Sequence, residues 1–571
     1  MSGITALCNL SGGHLPNTDL AALQLDQTPA SFAGTVADRS VPSLAGSLST
    51  GTRQTCLLGW PAGAEFSAIL ADGAGQEDAV SAMRRLLDRY GPALPEMVDG
   101  EWLLLDWQPG RLLLAQSRVR RDWLFHARRG DCIAISGDLD RMAALDWIGR
   151  DLDPVGLAAS FGRAPLRAAT TRRTILPGVQ RLEPGEVLVL TPGAEHSHRA
   201  ALPAVAAWRG SFAEAVEAGR DLLHQLLAER LTVAGPAGLL LSGGLDSSTL
   251  AVLIRDLTGE ERPLPAFTSV APPGQGMADE RSQALAVAER LGLRHVPVVP
   301  DGSASAYRPR AEAYAMAGGP TLSPRHYLYR ALCEAARAEG VATLFDGAFG
   351  EFTLTSYTPL AGPRYRLRQA VRRVIGRGDD PAAGSHFHVR LAPHRLSGLR
   401  AEVSDLARGH QLPPSERKTG EAWGWLPGFA KTWQQPTLLD HGIRGDLPFR
   451  DPRLLALFAG FPARFLVQDG HNRAVARAMM QGHLPEEIRL RRTTGAFSPD
   501  YMDRIRTQAP AVLERFGLFR KAEAGDWVDL NWLEEALQRI AANGTRSIPE
   551  AFEVQMTAMA AEFLVWWNRA G

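Results

Sequence analysis

The stretch GLLLSGGLDSSTLAVLI (238–254) constrains the fold more than any other. GLLL (238–241) is a short apolar strand, and the apolar residues after Asp246 recur at helical spacing. A strand that turns into a helix over so few residues belongs to a parallel sheet covered by helices, whose ligands sit at the C-terminal ends of the strands. Gly243 and Gly244 let backbone approach a ligand with no Cβ in the way. Ser242, Ser247 and Ser248 add hydroxyls, and the helix beginning near Asp246 aims free N–H groups and a positive dipole end at the same spot. This is an anion cradle that suits phosphate. Asp246 beside it calls for a cation between carboxylate and phosphates, a role Mg²⁺ fills. No GK[ST] follows, so the loop is not a Walker A sequence. A Ser/Gly helix cap is the plainer use of these residues; the agreement of strand, glycine pair, Asp and serine pair favours the cradle.

The flanking sequence extends the pattern. PAFTSV (265–270), HVPVV (295–299) and VATLF (341–345) read as further buried strands, with helices over Phe212–Leu231, Glu280–Leu291 and His326–Arg337. Before them, EWLLLDW (101–107), RLLLAQS (111–117), CIAIS (132–136) and EPGEVLVLTPG (183–193) read as strands and hairpins, and ALPAVAAWRG (201–210) as a linker. Beyond 400 the chain reads as mainly helical. The expected class is α/β: an α+β N-terminal sandwich over 1–200, then a doubly wound parallel-sheet domain over 201–571 with a helical C-terminal part. Lys+Arg and Asp+Glu are both 62 in 571 residues, which argues against binding nucleic acid. No apolar run is long enough for a membrane span, and Cys8, Cys56, Cys132 and Cys333 show neither a disulfide framework nor zinc spacing, so a cytoplasmic setting is expected.

SGGLDSS resembles the pyrophosphate loop of the N-type ATP pyrophosphatases, which split ATP into AMP and pyrophosphate to activate a carboxyl or carbonyl oxygen. DERSQALAVAERLGLRH (279–295) resembles the DE…A…A..LG..H helix of asparagine synthetases. GIRGDLPFRDPRLLALFAGFP (442–462) resembles their ExRxPFLD segment, and DGHNRAVARAMMQGHLPEEIRLRRTTGAF (469–497) their K…R…LP..I..R.K..F stretch. MSGI, VDGEWLLLDW (98–107) and TILPGVQRLEPGEVLVL (174–190) resemble the glutamine-hydrolysing domain of those enzymes, of the N-terminal-nucleophile hydrolase type. Ser2 stands where that domain has its nucleophilic Cys, the Asn-Gly-Glu stretch reads ADGAG (71–75), and Cys8 carries no free α-amine. The resemblance therefore implies an inactive glutaminase, and an amine within the substrate in place of ammonia. In size, start and the DGAFGE segment the chain resembles the lasso peptide cyclases, which join an Asp or Glu side chain of a precursor peptide to that peptide's own N-terminal amine. The β-lactam synthetases and ammonia-dependent asparagine synthetases are the alternative branches.

The resemblance implies ATP and Mg²⁺ as cofactors. It places ATP on Leu241, Ser242, Gly243, Gly244, Asp246, Ser247 and Ser248, with Ser269 and Gly347 beside it. It implies Asp246 and Glu351 as metal ligands, and Glu351, Arg473 and Arg491 as catalytic. Here DGAFGEF (346–352) is aligned on DG, so that Glu351 takes the second metal position; aligned on the final Glu, Gly350 would take it. Arg473 replaces the Lys of K…R, with Arg477 at the following match. Arg491 or Arg492 replaces the Lys of R.K, and Arg444-Gly445-Asp446 reads as a structural ion pair. A precursor peptide is the implied partner, with a leader-peptide protease and a leader-recognition protein as further candidates. Tyr327 or Tyr329 is placed near the substrate carboxyl. His386, His388 and His394 read as loop histidines, WGWLPGFAKTW (423–433) as core or a peptide pocket, and the six arginines of 364–377 as a solvated face or an acidic-partner patch.

Overall fold

The computed structural model describes residues 3–12, 14–25, 31–37, 45–50, 52–72, 78–119, 124–161, 172–201, 203–261, 263–274, 277–320, 323–354, 398–409, 441–491 and 498–568. Ser2, most of ADGAG, the three histidines, the tryptophan-rich stretch, the arginine run and Arg492 lie outside them.

The first half holds β1 (Gly3–Asn9), β2 (Phe32–Ala37), β3 (Ala45–Thr50), β4 (Arg53–Ala62), β5 (Asp99–Gln108), β6 (Arg111–Gln116), β7 (Phe125–Arg129), β8 (Cys132–Ser136), β9 (Val179–Arg181), β10 (Glu186–Thr191) and β11 (Ala194–Arg199). They form two sheets, ordered β2-β1-β8-β7-β9 and β11-β10-β6-β5-β4-β3, with antiparallel neighbours. Alternation sends Ile4, Ala6 and Cys8 of β1 between the sheets, to meet Leu103, Leu105, Ile133 and Ile135. The continuous LLL of β5 is apolar on both faces because both are covered: Leu104 and Trp102 pack instead on the helix Ala79–Tyr90, capped by Asp78. That helix was not foreseen from the sequence.

The outer face of the first sheet does not meet water. Leu7, Phe125 and Ala127 share one core with Leu157, Phe161, Tyr314, Leu344 and Phe563, so apolar packing runs unbroken across residue 200. Contact is close: a Cβ on Gly318 would lie 2.3 Å from the Phe125 ring. The helix Ile548–Trp567 is apolar nearly all round because it is buried nearly all round. Its Gln555 is satisfied by donating to the Ala306 and Pro324 carbonyls at 2.6 and 2.8 Å. No helix among the described residues is long and apolar enough to cross a membrane.

The second half is built on a parallel sheet of β12 (Ala237–Leu240), β13 (Pro265–Ser269), β14 (Arg294–Val298), β15 (Thr343–Phe345) and β16 (Arg444–Asp446). The mixed α/β class, antiparallel first and parallel second, is as expected. The Phe212–Leu231 helix starts on a Ser211/Glu214 capping box, which supplies the orphan N–H groups of its first turn. β16 departs from the expected helical C-terminal part. Arg-Gly-Asp has no strand signature, and the segment is extended because the edge of β15 supplies its partners.

Candidate active site

The strand order β14-β13-β12-β15-β16 reverses direction at β12. In open parallel sheets the crevice at such a switch point is where ligands bind. The loops after β12 and β15 flank it, and they carry SGGLDSS and DGAFGE.

Leu241 is buried and locked by its N–H to the Phe267 carbonyl (2.9 Å) and by Thr268 Oγ1 donating to its own carbonyl (2.7 Å). Gly243 has φ +67°, and a Cβ there would lie 2.5 Å from Gln283 Cβ and 2.8 Å from the Ala284 nitrogen. The side of Gly243 on which a Cβ would stand is therefore filled by the helix Arg281–Arg290. Gly244 keeps the open role: its Cβ would meet Ser242 Oγ at 3.1 Å. It also begins the helix Leu245–Thr258 without any side-chain cap. Ser242 and Ser247 bond to each other (Oγ to Oγ 3.1 Å), and the Gly244 N–H donates to Ser242 Oγ at 3.2 Å. The two hydroxyls thus shape the loop before they meet any ligand. Ser248 Oγ, Ser269 Oγ and Gln283 Oε1 are buried without a hydrogen-bond partner among the described residues. Such atoms are rare in folded proteins. Together with the uncapped helix start they fit an oxyanion ligand with a cation.

The loop after β15 folds down onto this helix. A Cβ on Gly347 would lie 2.9 Å from the Ser247 nitrogen, and one on Gly350 only 1.8 Å from Asp246 Oδ1. Gly350 is thus seated against Asp246, and Glu351 follows it in the short turn Gly350–Phe352. Solvent reaches Glu351, yet crowding by the chain raises its carboxyl above the usual range despite the opposing pull of Arg473. Glu351 and Arg473 are thus within electrostatic reach of each other. Asp346 takes its N–H to the Asp446 carbonyl (2.9 Å) and accepts from the Ala348 N–H (2.9 Å).

Arg473 is half-buried and left-handed (φ +61°, ψ 36°), a strained conformation of the kind that gathers at functional positions. Arg477, one turn on, is buried and donates to three carbonyls: Asn472 (2.7 Å), Arg489 and Arg491 (2.8 Å). It acts as a clamp on the backbone rather than as a free cation. Arg491 pairs at 3.6 Å with Glu280, which is buried at the start of the helix that touches Gly243. Tyr327 and Tyr329 are both core residues. Tyr327 donates to Asp500 at 3.4 Å under the Arg504 guanidinium, and Tyr329 lies against Asp346. The sequence patterns missed the Glu280–Arg491 pair, which joins residues far apart in the chain, and the Arg477 clamp, whose acceptors are backbone carbonyls that carry no residue-type signal.

Arg444 and Asp446 do form a pair (2.7 Å), inside a larger buried network. Arg230 binds Asp446 and Asp451 at 3.1 Å each, and Arg453 joins Asp451 (3.0 Å), Glu229 (2.8 Å) and Asp99 of β5 (3.3 Å). Burial alone would raise the Asp451 carboxyl, but Arg453 and Arg230 hold it down to about 2.

The fold is an α/β domain whose parallel sheet, flanked by helices, brings SGGLDSS and DGAFGE together at its switch point. The chain belongs to the asparagine synthase family, whose model matches residues 218–566. It is similar to the carboxyethyl-arginine beta-lactam-synthase of Streptomyces clavuligerus, 27% identical over 275 residues, 47% of this chain and 50% of that protein. The chain thus spans about half the length of the curated relative it matches. Among solved structures, a glutamine phosphoribosylpyrophosphate amidotransferase from B. subtilis complexed with ADP and GMP gives a TM-score of 0.24 at 11% identity, over 64% of this chain and 83% of that one. A structure described as the allosteric regulatory enzyme of purine biosynthesis gives 0.24 at 10%, over 54% and 76%. Scores this low assign nothing to this chain.

Proposed function

We propose that this protein is an ATP-dependent, AMP-forming carbon–nitrogen ligase that closes a peptide into a macrolactam. The observation that carries the reading is the seating of Gly350 on Asp246, which joins the two ligand-facing loops over an uncapped helix start at the switch point. Family membership and the similarity to a beta-lactam-synthase support the ligase class.

The substrate carboxylate attacks the α-phosphorus of ATP, pyrophosphate leaves, and an amine then displaces AMP from the activated acyl group while losing one proton. The N–H groups of the first turn after Gly244 hold pyrophosphate oxygens. Asp246, with Glu351 close by, would hold Mg²⁺, which would supply charge neutralisation for the phosphates. Arg473 and Arg491 supply fixed positive charge beside the reacting phosphorus. The peptide's own N-terminal amine is the nucleophile, and its pre-folded loop supplies the effective molarity. A precursor peptide, freed by a leader protease, is the partner this implies. The beta-lactam-synthase relative favours a second reading, ring closure on a small amino-acid derivative.

The test is AMP and pyrophosphate release from Mg·ATP with a linear core peptide or a small β-amino acid derivative. Peptide-dependent AMP release, with the peptide losing one water, is expected. Asp246→Ala and Gly350→Ala, the second by lifting the loop off Asp246, should each reduce it by about a hundredfold or more. Turnover with the small substrate only would move the protein to the second reading. Unchanged AMP release in Asp246→Ala would sink the assignment of the site.

A further inference from the structure

Two buried routes lead from the first two hundred residues to the loop 346–351. One passes through Arg450. Its guanidinium is 2% exposed, lies 5.6 Å over the Phe349 ring and donates from Nη1 to the Val119 carbonyl at 3.4 Å. Phe349 has φ +74° and ψ 0°, a left-handed turn that a side-chain-bearing residue adopts only when its surroundings impose it. Its ring is buried, so packing imposes it here. That turn is what delivers Gly350 to Asp246. The other route starts at Trp60 of β4, buried between the guanidiniums of Arg230 (5.2 Å) and Arg444 (5.5 Å). Both arginines bind Asp446, whose carbonyl accepts the Asp346 N–H that opens the loop.

Packing alone does not call for Arg450. The ExRxPFLD pattern has leucine at its place, and an apolar side chain would fill buried space without the cost of desolvating a charge. A cation there gains something a leucine cannot: it holds a carbonyl on one side and a ring face on the other. The first route therefore ties a backbone group of the N-terminal half to the single strained residue of the loop.

We propose that the first two hundred residues act as a positioning domain for the loop 346–351. Arg450 is the positioning residue: seated on the Val119 carbonyl, it holds Phe349 in its left-handed turn and so keeps Gly350 on Asp246. The inference rests on the reading of this loop as part of the nucleotide site. It gives the N-terminal half a role that needs no glutamine hydrolysis.

The test is Mg·ATP affinity of the full chain, measured by calorimetry, which needs no acceptor substrate. Arg450→Met is expected to bind about tenfold more weakly, and Arg450→Lys to recover part of the loss because an ammonium still covers the ring. Glycine adopts the turn unaided, so in a Phe349→Gly background Arg450→Met should add no more than about twofold. Trp60→Leu, in the N-terminal half, should weaken binding several-fold, with Trp60→Phe intermediate. Urea midpoints are taken for every variant. Arg450→Met with a lowered midpoint and wild-type affinity overturns the proposal, as do losses that simply add in the double variant. Wild-type affinity in Trp60→Leu overturns the role given to the domain. Asp246→Asn separates the two levels: if it too binds Mg·ATP normally, the nucleotide reading has failed, and if it alone loses affinity, the positioning claim has.

Discussion

A Cβ at position 350 would fall 1.8 Å from an Asp246 carboxylate oxygen, while the next residue, Glu351, lies within electrostatic reach of Arg473. Crowding raises the Glu351 carboxyl, so the charged form is the disfavoured one in the folded chain. The consequence for stability has a definite sign. A carboxyl raised by folding contributes fully below its unfolded value, and that contribution is lost as pH rises through its folded value. Glu351→Gln removes the penalty and is expected to raise the melting temperature at pH 7.5. Below about pH 4, where Glu351 is protonated in both states, the two proteins should melt alike. The same variant should bind Mg·ATP more weakly, because the group is placed for a ligand at the expense of stability. Paired melting curves at the two pH values and one binding isotherm check this. The sequence left both Glu351 and Gly350 open at this position; that Gly350 lies against Asp246 came from the structure. It depends on how the left-handed Phe349 turns the chain.

Among the elements, the hairpin of Val467–Gln468 and His471–Asn472, the helix Ala474–Met479 and the segment Arg489–Arg491 form one unit around Arg477. The chain turns into the helix through the left-handed Arg473, and Arg477 reaches back to the hairpin and forward to the Arg491 carbonyl. The sequence marked Arg473, Arg477 and Arg491 alike as cations. Structure separates them, since Arg477 donates to carbonyls while Arg473 lies within electrostatic reach of Glu351. Arg477→Met should free Arg489–Arg491. Hydrogen exchange at these amides is expected to speed up, and AMP formation to slow by about a hundredfold, the scale of a small misplacement of reacting groups. Arg477→Lys, with one compact ammonium in place of a planar fork, should recover only part of that loss. Unchanged exchange with reduced turnover would instead make Arg477 a direct participant.

At the scale of the whole molecule, one of the hydrophobic cores is shared by both halves. Leu7, Phe125 and Ala127 from the first half pack with Tyr314, Leu344 and Phe563 from the second, and Arg453 reaches Asp99 across the same seam. Trp567 and Arg150 close it at the far end, ring under guanidinium at 4.3 Å. Residues 1–200 or 201–571 expressed alone should therefore expose a broad apolar face. Each half is expected to bind a hydrophobic dye and to aggregate, whereas the full chain should unfold in one cooperative transition. Two separate transitions in the full chain would contradict a common core. The linker-like composition of 201–210 suggested separable domains; composition reports the exposure of the connecting chain, and says nothing of how much apolar surface the flanking parts bury against each other.

Local order was written locally. The strand–loop–helix at 238–254, the capped helix Phe212–Leu231 and the hairpins around β5 and β6 follow from apolar periodicity, glycine pairs and capping residues, interactions between residues near in sequence. The chemistry of the cradle was legible for the same reason, because its serines, glycines and Asp246 lie on one short loop. What tertiary structure decided is every relation across distance. It packed Gly243 on a helix forty residues away and seated Gly350 on Asp246. It also turned Arg-Gly-Asp into a strand and stacked Arg450 on Phe349. Each of these depends on where two distant segments meet, and that is set by the burial of the whole chain rather than by any pattern within a segment.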